Sequence, residues 1–86
     1  MRGGRSLKDG IQAITWTQKK LLAAYARCNM SVTKTAQEVY LTPRDINYHM
    51  RMVRVKTGLD PTQFVDLVKL LFMCGESGMF ELEELL

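Results

Sequence analysis

The stretch Ser31-Val-Thr-Lys-Thr-Ala-Gln-Glu-Val-Tyr-Leu-Thr-Pro-Arg-Asp-Ile-Asn-Tyr-His-Met-Arg-Met-Val-Arg-Val-Lys-Thr-Gly58 decides the fold. It reads as a short helix, a tight turn and a longer helix. Ser31 is placed to accept a backbone N–H left over at a helix start. Ala36 is small enough to let a second helix cross near the backbone, and Val39 and Leu41 flank a short connection. Thr42-Pro43-Arg44-Asp45 carries the sharpest local signal: Thr42 as N-cap, Pro43 as first helical residue and Asp45 reaching back as a capping box. Ile46, Met50 and Val53 then recur at helical spacing and define a buried face, while Arg44, Asn47, Tyr48, Arg51 and Arg54 point elsewhere. Gly58 ends the helix where a left-handed backbone is needed. The spacing predicts a helix-turn-helix with helices over Val32–Val39 and Pro43–Thr57.

Ahead of this unit, Thr15 or Thr17 starts another predicted helix, with Ile14 or Trp16 able to staple its start. Leu21, Leu22, Tyr25 and Cys28 mark its apolar face, Lys19, Lys20 and Arg27 lie on other sides, and Asn29-Met30 turns the chain into Ser31. Residues 1–14 read by composition as a basic flexible arm. Behind the unit, Asp60 is expected to cap and Pro61 to open a fourth main helix, with Gln63 at the capping-box position. Phe64, Leu67, Val68, Leu71 and Phe72 form a wide stripe on it, and with Leu70 and Met73 there is more apolar surface than one face needs. Gly75-Glu-Ser-Gly78 is expected to break this helix, leaving 75–86 as an acidic amphipathic tail. Its last eight residues form a helix only by docking on something.

The chain has 86 residues, enough for one small domain of a size whose core association often supplements. Its formal charge of +3 conceals an asymmetry: residues 1–60 hold 11 Lys/Arg against 4 Asp/Glu, and residues 61–86 hold 1 against 5. The basic part contains the helix-turn-helix, where a polyanion-binding surface is needed. No apolar run approaches the roughly 18 residues of a membrane span, and no apolar stretch follows the N-terminal basic residues as in a secretory signal. Cys28 and Cys74 are too few for a disulfide framework or metal set, so a reduced cytoplasmic setting is expected.

Catalysis finds little to stand on. His49 is the only histidine, no Gly-rich phosphate loop follows a strand, and Cys28, His49 and Cys74 match no metal-ligand spacing. The expectation is a non-enzyme with no cofactor and no metal. DNA binding is better supported, because a recognition helix needs one apolar side to anchor it and another to face base edges. Arg44, Asn47, Tyr48 and Arg51 are the expected base-facing group, since Arg suits guanine and Asn suits adenine through paired hydrogen bonds. Arg54, Lys56 and Lys34 are expected on phosphates. His49 reads first as a boundary residue satisfied locally, and Tyr25 as core.

Asn29-Met-Ser31, Thr35-Ala36, Arg44-Asp-Ile-Asn-Tyr-His-Met50 and Thr57-Gly-Leu-Asp60 together resemble the helix-turn-helix domain that closes purine catabolism regulator (PucR) type bacterial transcription factors. The likeness spans roughly residues 15–74, and the Fis-type helix-turn-helix resembles it more distantly. Asp45 and His49 stand where that family usually carries Asn or Thr and Arg. The resemblance implies a bacterial or phage transcriptional regulator that reads double-stranded DNA with residues 43–57 in the major groove, and dimers as the binding form. The expected fold is all-α, a small Fis/PucR-like bundle of four main helices plus a short C-terminal helical tail. A homodimer is expected through the fourth helix and the tail. The alternative reading is a protein–protein interaction module that keeps the helix-turn-helix fold without binding DNA.

Overall fold

A computed structural model of the chain describes residues 7–76, and the described residues form five helices: α1 Leu7–Ala13, α2 Trp16–Arg27, α3 Val32–Val39, α4 Pro43–Thr57 and α5 Phe64–Glu76. Among the described residues there is no strand. The helix starts are set by side chains that accept otherwise unpaired N–H groups. Thr15 caps α2, its Oγ1 accepting from the Gln18 N–H at 3.1 Å while Gln18 Oε1 accepts from the Thr15 N–H at 3.1 Å. Ser31 Oγ accepts from the Lys34 N–H at 3.2 Å to start α3. Thr42 and Asp45 form the reciprocal box at the start of α4, at 3.1 and 3.2 Å, with Pro43 behind the cap. The two helices of the motif therefore cover the residues that the spacing predicts.

The ends are set by left-handed residues. Asn29 and Met30 both have positive φ, and the Met30 N–H donates to the Tyr25 carbonyl at 2.8 Å as α2 turns into α3. Gly58, at φ +78, closes α4 through its N–H to the Arg54 carbonyl at 2.8 Å. The Thr57 hydroxyl donates to the Val53 carbonyl and accepts from the Leu59 N–H, which guides the exit from α4. Ile46, Met50 and Val53 are buried as expected, in one cluster with Leu21, Leu22, Tyr25, Ala36, Leu67, Leu70 and Cys74. Burial pushes the Cys74 thiol up, an effect that the nearby Lys19 partly offsets, and it also raises the Tyr25 phenol, with the Asp60 charge adding to the shift. Cys74 is thus an inert core thiol.

Four expectations are corrected. Part of the stretch expected as a flexible arm is α1, which packs on α4 and α5 and puts Ile11, and Ile14 just past its end, in the core. Seven residues cannot hold a helix in water, so this one exists by packing, which composition does not record. Residues 1–6 lie outside the described residues. Lys19, expected on an outer face, is buried against the core, its stem able to pack there as a long side chain does. Cys28, expected in the core, is only half-buried at the end of α2, where its Sγ lies 3.7 Å from Glu38 Oε1.

The last correction concerns the fourth predicted helix. α5 starts at Phe64 rather than Pro61, and Asp60 Oδ1 accepts from both the Thr62 N–H at 2.9 Å and the Thr62 hydroxyl at 2.6 Å. The Gln63 N–H closes a turn on the Asp60 carbonyl at 3.0 Å, and the helical ladder begins only with the Leu67 N–H on the Gln63 carbonyl at 2.9 Å. α5 also runs through Gly75 to Glu76, so the expected break is not at Gly75, and the tail expected from Met79 onward lies outside the described residues. The expected stripe divides: Leu67 and Leu71 join Leu70 and Cys74 in the core, whereas Phe64, Val68 and Phe72 are exposed.

Two outcomes follow from these contacts. A Cβ at Gly10 would run into the Lys56 carbonyl oxygen and lie 3.0 Å from the Thr57 Cα, both backbone atoms that cannot swing aside. Gly10→Ala is therefore expected to lift α1 from α4 and cost about 2 kcal/mol in urea unfolding, with faster amide exchange confined mainly to α1. Hydrogen bonds from the Thr42 side chain and backbone, aided by His49 and Arg44, hold the Asp45 carboxyl below the usual carboxylate range. Its contribution is present above the ordinary Asp value and is lost as pH falls through the lowered one. Asp45→Asn should thus melt below wild type at neutral pH, and the difference should close on acidification.

Candidate nucleic-acid interface

α4 is gripped on one side only. Ile46, Met50 and Val53 are sealed in the core, and the helix packs on α1, α2 and α3. At about 100° per residue, Arg44, Tyr48, Arg51 and Val55 share an arc of roughly 60° on the opposite side. Asn47 and Arg54 flank it within about another 60°. All six side chains are exposed. Arg54 also lies near Asp60, whose carboxyl is held below the usual range first by the Thr62 hydrogen bonds and then by the Arg54 charge. The helix therefore presents three guanidinium groups, one amide, one phenol and one methyl-bearing side chain over about 15 Å of its length.

Of the residues expected to touch DNA, Lys56 departs from this group. It lies beyond the Tyr48 edge of the arc, half-buried, and its Nζ donates to Gln18 Oε1 at 2.9 Å. Gln18 itself is 3% exposed, and its Nε2 lies 3.3 Å from His49 Nδ1. That contact is a hydrogen bond when His49 is neutral with its proton on Nε2. His49 also meets the Tyr48 ring edge-on, with centroids 5.4 Å apart. The local satisfaction expected for His49 is what the geometry gives: it faces the interior amide rather than the exposed arc. One buried amide thus ties the start of α2 to the middle and end of α4.

Lys34 stands on the exposed side of α3, one turn in from its N-terminus. α3 is braced against α2 by an ion pair between Arg27 Nη2 and Glu38 Oε2 at 2.6 Å. An exposed pair of this kind is worth about 0–1 kcal/mol, so its consequence here is orientation, and it removes Arg27 from the free basic groups. Two exposed residues were not assigned at the sequence level. Val55 falls on the basic arc at 72% exposure, four residues after Arg51 and seven after Tyr48, a helical spacing that the sequence does contain. Tyr40 sits in the turn between α3 and α4 at 93% exposure.

Among the described residues no group of three or more His, Cys, Asp or Glu side chains could hold a metal ion. No helix among them is long and apolar enough to cross a membrane. Compared with known protein families, residues 19–74 match the PucR C-terminal helix-turn-helix domain. Neither the curated proteins nor the solved structures give a match to the chain. The match takes in most of α2, the whole of α3, the capped turn and α4, and α5 as far as Cys74. With the motif, its turn and the greater part of its core inside the matched stretch, the chain belongs to the family of PucR C-terminal helix-turn-helix domains.

Proposed function

We propose that this protein binds double-stranded DNA sequence-specifically and acts as a bacterial or phage transcriptional regulator, with α4 lying in the major groove. The observation that carries this reading is the one-sided burial of α4: its apolar stripe is sealed while Arg44, Asn47, Tyr48, Arg51 and Arg54 stand exposed on the other side. Arg44 and Arg51 suit guanine O6 and N7, and Asn47 suits adenine N6 and N7, in each case through two hydrogen bonds. Tyr48 and Val55 suit sugar or thymine methyl contacts. Arg54 and Lys34 suit phosphates, which set register without reading sequence. Lys56 is better read as a structural group, since Gln18 already holds its ammonium. The role is binding rather than catalysis, and two free cysteines fit a reducing, cytoplasmic setting.

The protein acts as a homodimer in this reading. Phe64, Val65, Val68 and Phe72 form an exposed apolar face along α5, and Phe64 and Phe72 remain 68% and 69% exposed. Monomeric domains seldom leave such a cluster in water. A second copy is the simplest cover, because a two-fold contact matches the face to itself and sets two α4 helices on half-sites about 34 Å apart. The same face is what favours the rival reading, a protein-interaction module with no affinity for DNA.

Fluorescence anisotropy with duplex DNA at two salt concentrations separates these readings. Wild type should bind, and should weaken steeply with salt because neutralised phosphates release counterions. Arg44→Ala/Arg51→Ala should lose at least about tenfold in affinity. Arg54→Ala should lower the salt slope by about one, whereas Lys56→Ala should leave it unchanged. Absence of wild-type binding even at low salt rejects the DNA reading and favours the interaction module. For the dimer, sedimentation should give two chains per DNA site, reduced to one by Phe64→Ser/Phe72→Ser with the helical content retained. A wild type that stays monomeric on DNA rules the dimer out.

A further inference from the structure

Among the described residues, three other than glycine hold a left-handed backbone: Asn29 at φ 59, Met30 at φ 62 and Tyr40 at φ 59. An L side chain there costs free energy, least for asparagine, so each position asks what offsets the cost. Asn29 is the residue type that tolerates the conformation. Met30 is part-buried and packs on the core, so burial offsets its backbone. At Tyr40 the conformation itself is required, since its own N–H and the Leu41 N–H, at 3.0 Å, both turn back to the Ala36 carbonyl and send the chain into Thr42. That geometry favours glycine, and a tyrosine ring 93% exposed returns nothing by packing. The phenol is held in water two residues before the N-cap of α4, between the two helices of the motif.

We infer that Tyr40 is a DNA contact whose phenol hydroxyl donates a hydrogen bond to a backbone phosphate beside the point where the first turn of α4 enters the groove. The inference rests on the DNA-binding reading above. It gives a role to an aromatic residue that stands where the backbone prefers glycine, because stored backbone cost clusters where a ligand repays it. A phenol on two rotatable bonds loses little freedom on docking, and a phosphate oxygen is a strong acceptor for it. The contact is neutral on the protein side, so it fixes register without adding to counterion release. Arg44, four residues on, is at most about 15 Å away along the chain. The two side chains thus bracket the entrance to the motif, one on the backbone and one on the bases.

Tyr40→Phe removes only the hydroxyl and leaves the turn as it is, so its melting temperature should equal wild type. Its affinity for duplex DNA should fall by roughly ten- to a hundredfold with an unchanged salt slope, as for loss of one hydrogen bond to a charged group. Tyr40→Gly should lose a similar factor while melting no lower than wild type, since glycine relieves the left-handed position. A Tyr40→Phe protein that binds as tightly as wild type overturns the inference and leaves the DNA reading standing. Loss in Tyr40→Gly without loss in Tyr40→Phe overturns it too, and assigns the effect to stiffness of the turn. A wild type with no affinity for DNA is a different result, which removes the DNA reading and this contact together.

Discussion

A helix that is to present one face to a ligand has to be held by the other, and everything else in this domain follows from how α4 is held. Ile46, Met50 and Val53 supply the apolar half of the grip, with close to zero exposure in a core of leucines and isoleucines. Gln18 supplies the polar half. Its buried amide completes the cap of α2 while taking the Lys56 ammonium and meeting the His49 ring. A buried amide is costly unless its groups are paired, and here both ends are, which makes the position of α4 relative to α2 specific rather than merely apolar. The charged groups then divide by geometry: Lys56 serves the interior and the arginines remain outside.

A domain of this size has little core to spare, and the two outermost helices show how it is completed. α1 brings Ile11 and Ile14 against the core, and Gly10 lets its backbone approach the end of α4 more closely than any other residue could. α5 brings Leu67, Leu70, Leu71 and Cys74 from one side and leaves Phe64, Val65, Val68 and Phe72 on another. The charge runs the other way: residues 1–60 carry the basic excess and residues 61–86 the acidic one. The helix-turn-helix thus lies in the basic part of the chain and α5 in the acidic part.

The turn between α3 and α4 combines two kinds of constraint. On one side, Thr42, Pro43 and Asp45 fix the start of α4 through local hydrogen bonds and a preset φ, none of which depends on the rest of the chain. On the other, Tyr40 holds a left-handed conformation that turns the chain out of α3 toward Thr42, with Leu41 packed against the core. The turn is therefore stiff at both ends, which is what a motif needs if its second helix is to meet a groove in one orientation.

Residues 31–58 were legible in the sequence because their signals are local. Caps, a helix-opening proline, a closing glycine and a 3.6-residue apolar period act over a few residues, so they fixed α3, α4, the buried stripe and the exposed basic arc before any tertiary contact was known. The same holds for the capping box at Thr15 and the turn at Asn29-Met30. Tertiary structure decided what depends on distant partners. It made α1 a helix from a Gly-rich segment, buried Lys19, moved Cys28 to the edge and split the α5 stripe into core and surface. It also drew Lys56 out of the expected phosphate-facing group, because Gln18 lies 38 residues away in sequence but 2.9 Å away in space. Periodicity says which side of a helix is apolar; only packing says which polar groups find one another.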